Sequence, residues 1–137
     1  MKIDAKELIS LAMSAREASY SPYSGISVGA ALLTMTGKVY LGANIENASF
    51  SPTVCAERVA IFKAISEGER DFAAIAVVGG KRGEDVLGDF PPCGVCRQVM
   101  SEFCDSNLVI LTGTPDKITE RTLGEILPFG FDKSNVN

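Results

Sequence analysis

Histidine is absent from this 137-residue chain, and so is tryptophan. Losing histidine removes the commonest general base and the commonest zinc ligand at once. Hydrolytic chemistry here must use carboxylate, thiol, lysine or metal, and a zinc site must be built mainly from cysteine. Long hydrophobic runs are missing as well. No segment approaches the roughly 18 consecutive apolar residues of a membrane span, so no membrane partner is expected. Met1 to Ser10 mixes Lys2, Asp4, Lys6 and Glu7 with apolar residues and holds no apolar signal core. A cytoplasmic protein is expected, in a compartment where thiols stay reduced. Runs of Lys or Arg are also lacking. Lys plus Arg is 13 against 17 Asp plus Glu, a net charge of -4. A protein that grips nucleic acid needs a positive surface to displace counterions, so no nucleic-acid partner is expected. The longest charged stretch, Glu67 to Asp71, reads as a solvated turn.

What remains is ordinary globular material. Hydrophobic residues make up 46% and charged residues 22%, which suits a single domain over residues 1–137 with a core of its own. Metal is not needed merely to fold such a chain, so any metal site is free to be chemical. The four cysteines read better as ligands or buried thiols than as two disulfides.

Periodicity orders the chain. Asp4 is a plausible N-cap, and Leu8, Leu11, Ala12, Ala15 and Ala18 recur at helical spacing over residues 4 to 18. Ser21-Pro22-Tyr23-Ser24-Gly25 breaks that helix. Val28, Ala30 and Leu32 alternate in a strand, Thr36-Gly37 turns, and Val39 to Gly42 returns as the second arm of a hairpin. Asn44 to Ser51 is polar and loop-like. A helix is expected over 55 to 66, ended by Gly68, and Ala73 to Val78 reads as a strand buried on both faces. Gly79 to Pro92 reads as a long loop, the kind that often carries function. A helix from Gly94 to about Cys104, a buried strand at Leu108 to Leu111, and a strand end with a short helix within Thr119 to Leu127 complete the chain. Strands alternating with helices after residue 55 imply parallel pairing, hence a mixed sheet sandwiched between helices.

Pro92-Cys93-Gly94-Val95-Cys96 opens one of these helices, and Thr53-Val54-Cys55-Ala56-Glu57-Arg58 opens another. A Cys-x-x-Cys alone is half a zinc site or a redox pair. Three cysteines at two helix N-termini favour metal, because the positive helix ends favour thiolate over thiol. Cys104 is a poor fourth ligand. If it shares a helix with Cys96, their separation of eight residues in the sequence is about 12 Å along the axis. Sulfurs on one zinc, with bonds of about 2.3 Å, lie about 4 Å apart. Cys104 is therefore expected to be a buried core thiol. Three protein ligands leave one position open, the arrangement of a catalytic zinc, one ion per chain. Glu57 taken singly would be a solvated residue complementing a helix dipole. Beside an open zinc position, in a chain without histidine, it is the leading proton carrier. Three thiolates and Zn²⁺ sum to a negative centre, so a cation is expected nearby. Arg58 and Arg97 are the candidates to donate hydrogen bonds to sulfur from the second layer.

Cys-Ala-Glu-Arg followed by Pro-Cys-Gly-x-Cys-Arg-Gln resembles the cytidine deaminase family in its short, three-cysteine class; a non-ligand Glu with a distal Pro-Cys-x-x-Cys is the known zinc-deaminase signature. Pro22-Tyr23-Ser24, Val28 to Leu32, Asn44-Ile45-Glu46-Asn47-Ala48 and Glu125 to Pro128 extend the likeness over nearly the whole chain. The resemblance implies a three-layer α/β/α fold with a mixed five-stranded sheet. It implies hydrolytic deamination of cytidine and deoxycytidine in pyrimidine salvage, with zinc on Cys55, Cys93 and Cys96. A zinc hydroxide would attack C4, and Glu57 would shuttle protons from the water to N3 and then to the departing ammonia. Asn44 and Glu46 would bind the ribose 3′-hydroxyl, and the Ala56 amide the base carbonyl. The class is a homotetramer with shared sites, in which Phe131 would reach a neighbour's pocket and pack on the base. The plainer alternative is that Phe129 and Phe131 cover the core. Two positions depart from the family. Ile26 stands where Phe is common, giving an aliphatic wall that packs on a pyrimidine without aromatic stacking. Phe50 stands where relatives often have Tyr, removing a hydroxyl. Competing readings are a deaminase of blasticidin S or of polynucleotides, a zinc-stabilised interaction module with a fourth protein ligand, and a thiol oxidoreductase.

Overall fold

The computed structural model of the protein describes residues 3–137; Met1 and Lys2, counted above in the N-terminal segment, lie outside the described residues. Helix α1 (Ala5–Ala15) starts where the Asp4 carboxylate accepts the Glu7 N–H at 2.8 Å, and a 3₁₀ turn over Arg16–Ala18 continues it. Strands β1 (Ile26–Thr34) and β2 (Val39–Ala43) form the expected antiparallel hairpin. Then come α2 (Ala56–Ser66), β3 (Phe72–Lys81), α3 (Gly94–Phe103), β4 (Val109–Thr114), β5 (Lys117–Thr122) and the short α4 (Leu123–Ile126).

The five strands lie in the order β2-β1-β3-β4-β5. Only β3 and β4 are parallel, because α3 crosses between them; the other neighbours are antiparallel. The sheet is thus mixed and five-stranded, with helices on both faces. On one face Ala31, Ala76, Val78 and Leu111 meet Leu8, Ile9 and Ala12 of α1. On the other, Ala30, Leu32, Ile75, Val77 and Ile110 meet Ala60 and Ile61 of α2 and Cys96 and Met100 of α3. Each fully buried Ile or Leu in these layers contributes about 2 kcal/mol of transfer free energy.

Covered faces explain two departures from the sequence reading, and a solvent-facing edge the third. β1 carries apolar residues on both sides, so its Val28, Ala30, Leu32 alternation marks one buried face rather than a boundary with solvent. β3 runs past Val78 through Gly79 and Gly80 to Lys81, which the loop reading had taken from the strand. Glycine is a strand residue there because another group lies on the backbone: a Cβ at Gly79 would sit 2.6 Å from the Phe90 ring. At the far edge, β5 folds back on β4 through a tight turn at Pro115-Asp116, whereas only a strand end beyond Thr119 was expected.

One close approach sets the position of α2. A Cβ at Gly42 on β2 would lie 2.4 Å from the Ala56 carbonyl oxygen and 2.6 Å from the Ala60 nitrogen. The first turn of α2 therefore rests directly on β2 backbone. Gly42→Ala must push that turn outward. It is expected to cost about 2 kcal/mol, as overpacking does, measured as a lower urea midpoint at unchanged slope. An unchanged midpoint would show that α2 does not bear on this strand.

Candidate active site

Cysteine occupies the N-cap of both central helices. Cys55 precedes α2 with φ −76° and ψ 156°, and Cys93 precedes α3 with φ −69° and ψ 167°. Neither side chain caps its own helix, so both sulfurs are free to face outward from the helix ends. Cys96 lies on the first turn of α3 and is fully buried. The two helix starts meet, and the three sulfurs fall within 4.8 Å of one another. The Cys55 and Cys93 sulfurs are 3.8 Å apart, and bonds of about 2.3 Å to a tetrahedral zinc demand sulfurs about 3.8 Å apart. The donor set therefore fits one zinc ion. No fourth Cys, His, Asp or Glu joins the cluster among the described residues, as a closed structural site would require. Cys104 is the C-cap of α3, at the other end of that helix, and packs against the core. Burial, and then the Asp105 charge, pushes its thiol up to about 12.

Cys55 and Cys96 do not titrate alike. Hydrogen bonding from Cys96 first, and then from the Arg58 guanidinium, draws Cys55 down to about 5. Its partner Cys96 moves the opposite way, because the Cys55 thiolate accepts its proton and burial disfavours a second charge. Arg58 Nη2 donates to Cys55 Sγ at 3.3 Å, as expected for a cation balancing thiolates. Arg97 does not share that role. Its Nε donates to the Pro92 carbonyl and its Nη1 to the Ile126 carbonyl, both at 2.8 Å. One helical step of about 100° separates Arg97 from Cys96, which turns its side chain from the sulfurs toward α4. Arg97 thus ties the residue before Cys93 to the end of α4.

Glu57 is 3% exposed, so it is not the solvated helix-start residue that the dipole alone would explain. Burial first, and then the neighbouring Cys55 charge, raises its carboxyl to about 7. A carboxyl poised near neutral pH is suited to take and return a proton.

Asn44 and Glu46 both hold the backbone around β1. Asn44 Oδ1 accepts from the Ser19 hydroxyl at 2.6 Å and the Val28 N–H at 2.9 Å, and its amide donates to the Ile26 carbonyl at 2.8 Å. One amide hydrogen remains. Glu46 Oε1 accepts the N–H groups of Tyr23 and Ser24, each at 3.0 Å, and Oε2 accepts the Ser24 hydroxyl. Those bonds hold its carboxyl below the usual range. The turn-forming role of these residues is therefore real and leaves capacity for one more partner each. Tyr23, Ser24, Glu46, Asn47, Phe50 and Thr53 line a cavity of about 300 Å³. Phe50 stands exposed with its ring edge-on to Tyr23 at 6.4 Å. Ile26 is half-buried at the start of β1, and Ala56 is fully buried at the first position of α2. Phe131 is 62% exposed and Phe129 fully so, which overturns the idea that they cover the core. A larger cavity of about 680 Å³ lies by Phe72, Cys104 and Asp132. The three sulfurs and Glu57 do not line it, so volume does not mark the chemistry here. Ser19 was missed by sequence reasoning, since an isolated serine carries no local signal of a distant partner, here Asn44; Ser24 was singled out only within Pro22-Tyr23-Ser24, without its partner Glu46.

Three thiols at two helix ends, with a buried carboxyl beside them, define the metal centre of a zinc-dependent enzyme. The sequence model of the cytidine and deoxycytidylate deaminase zinc-binding region matches residues 2–112. The chain is 49% identical to the cytidine deaminase of Halalkalibacterium halodurans over 136 residues, 98% of this chain and 99% of that one. It is 46% identical to the cytidine deaminase of Sporosarcina psychrophila, again over 136 residues, 98% of this chain and 96% of that one. The crystal structure of cytidine deaminase from Burkholderia pseudomallei superposes with a TM-score of 0.86 at 43% identity, covering 94% of this chain and 100% of that chain. The chain belongs to the cytidine deaminase family.

These environments predict the order in which the thiols react. In zinc-loaded native protein a thiol reagent at pH 8 should find almost no reactive sulfur, since Cys104 at about 12 is ionised in about one molecule in ten thousand. A chelator should release three thiols together, and denaturant the fourth. Rapid labelling of three thiols with zinc still bound would contradict the ligand assignment.

Proposed function

We propose that this chain catalyses hydrolytic deamination of cytidine and deoxycytidine to uridine and deoxyuridine plus ammonia, in pyrimidine salvage. The observation that carries the reading is the burial of Glu57 beside the three convergent thiols. Cys55, Cys93 and Cys96 hold zinc, which when bound supplies a Lewis acid that makes water nucleophilic at neutral pH. Arg58 offsets the negative charge of the thiolates through its bond to Cys55. Glu57 takes a proton from the attacking water and delivers it to N3 of the ring. It then carries a proton to the departing amine as the C4–N bond breaks and ammonia leaves. The buried site lets one carboxyl serve both transfers, because its proton affinity lies near the working pH.

The remaining residues bind and orient. The Ala56 N–H, unpaired within the helix at its first position, holds the base carbonyl. Asn44, with its spare amide hydrogen, and Glu46, with its remaining lone pair, take the ribose 3′-hydroxyl. Ile26 packs flat on the ring. Phe131 reaches into a neighbour's pocket in a homotetramer, a reading supported by its exposure together with that of Phe129 and Phe50. The 137 residues work as one domain, in the cytoplasm, on a free nucleoside.

Mixing the protein with cytidine should give the loss of absorbance that accompanies conversion to uridine. Deoxycytidine should react comparably, and cytosine much more slowly, because it lacks the hydroxyl that Asn44 and Glu46 hold. Blasticidin S serves as the competitor. Faster turnover of blasticidin S than of either nucleoside would replace the proposed substrate class.

A further inference from the structure

The loop that delivers Cys93 is unevenly built. Residues 82–88 are mostly exposed and include Gly83 and Gly88. The residues that follow are gripped one after another. Asp89 receives Arg121 of β5 in a two-point contact, Nη2 to Oδ2 at 2.5 Å and Nη1 to Oδ1 at 3.1 Å. The buried Thr112 hydroxyl of β4 donates to the same Oδ1 at 2.6 Å. Those bonds, Arg121 first and Thr112 second, hold the Asp89 carboxyl below its ordinary value. Phe90 lies on Gly79 of β3, in the space a side chain there would fill. Pro92 is fully buried, and its carbonyl accepts from Arg97.

Cys93 is the exposed member of the three thiols, whereas Cys55 is half-buried against the core and Cys96 is fully buried. Burial therefore fixes two sulfurs and leaves the third to its backbone. That backbone is set by α3 behind it and by residues 89–92 ahead of it. The side chains of Arg121 and Asp89 are 29% and 43% exposed, so their ion pair adds little to global stability. Its forked geometry is nevertheless directional, as paired guanidinium and carboxylate contacts are. A contact that is weak in stability and strict in direction suits positioning.

We propose that Asp89, Arg121 and Thr112 form a clamp that positions Cys93 as a metal ligand, so that the clamp governs how firmly zinc is held. The proposal rests on the reading of Cys93 as a ligand. These are positioning residues; none touches the metal or the substrate.

The test follows zinc release from the loaded protein into excess colorimetric chelator, for the unmodified chain, Asp89→Asn and Thr112→Val. Val109→Ala, on β4 outside the clamp, is the control for general loosening of that strand. The unmodified chain should release one zinc slowly. Asp89→Asn and Thr112→Val should each release it about 10-fold faster, the lower end of what outer partners of metal ligands contribute. Val109→Ala should stay near the unmodified rate even where its melting temperature falls as far. Cobalt-loaded Asp89→Asn should show altered thiolate-to-metal absorption, which a merely structural role would not produce. Unchanged release in both clamp variants, or acceleration no greater than in Val109→Ala, would overturn the clamp. A chain that takes up no zinc at all would overturn the ligand reading, and the clamp with it.

Discussion

Two helix N-termini meeting over one face of the sheet is the constraint from which the rest of the site follows. Each brings unpaired N–H groups and the positive end of a helix dipole to the same place. Such a place favours thiolate over thiol, and Cys55, hydrogen-bonded by Cys96 and Arg58, is drawn down to about 5. The meeting depends on small residues. Gly42 lets the first turn of α2 lie on β2 backbone, and the buried Ala56, Ala60 and Ala64 keep α2 close to the sheet. α3 is placed by the crossover between the parallel β3 and β4, so Cys93 and Cys96 arrive opposite Cys55. The same closeness that brings the sulfurs together also encloses Glu57 and raises its carboxyl toward neutrality.

Charge at the centre is arranged in layers. Arg58 faces the sulfurs directly. Arg97 and Arg121 act at one remove, on the carbonyl of Pro92 and the carboxylate of Asp89. Asn44 and Glu46, the proposed sugar-binding pair, hold the start of β1 and the turn before it, and those bonds fix the orientation of their remaining polar atoms. Ile26 begins β1 at that same point, its N–H donating to the Ser24 hydroxyl and its carbonyl accepting from the Asn44 amide.

The parts legible in the sequence were those with a strong local signature. Asp4 capping α1, the hairpin turn at Thr36-Gly37, and the cysteines opening α2 and α3 each depend on neighbours a few residues away. The strand limits of β3 were misjudged because glycine signals a loop unless a distant ring covers it, and Phe90 supplies that ring. The return strand β5 was shortened because Lys117 and Glu120 are polar on an edge that faces solvent. At the site, residue types and spacing were enough to pick out the three cysteines that the fold brings together, and Glu57, proposed as the proton carrier, lies buried beside them. The target of Arg97 was not legible, since a helical position alone does not say which carbonyls lie beside it.

One buried carboxyl, separate from the metal ligands, is proposed to move the protons of the reaction. Glu57→Gln keeps the shape and the burial but cannot carry a proton at neutral pH. Zinc content and kcat for cytidine, measured on the same preparation, separate binding from chemistry. The variant should retain about one zinc per chain and lose about 10²–10⁴-fold in kcat, the range of a lost general acid–base. Full activity with zinc retained would contradict that role.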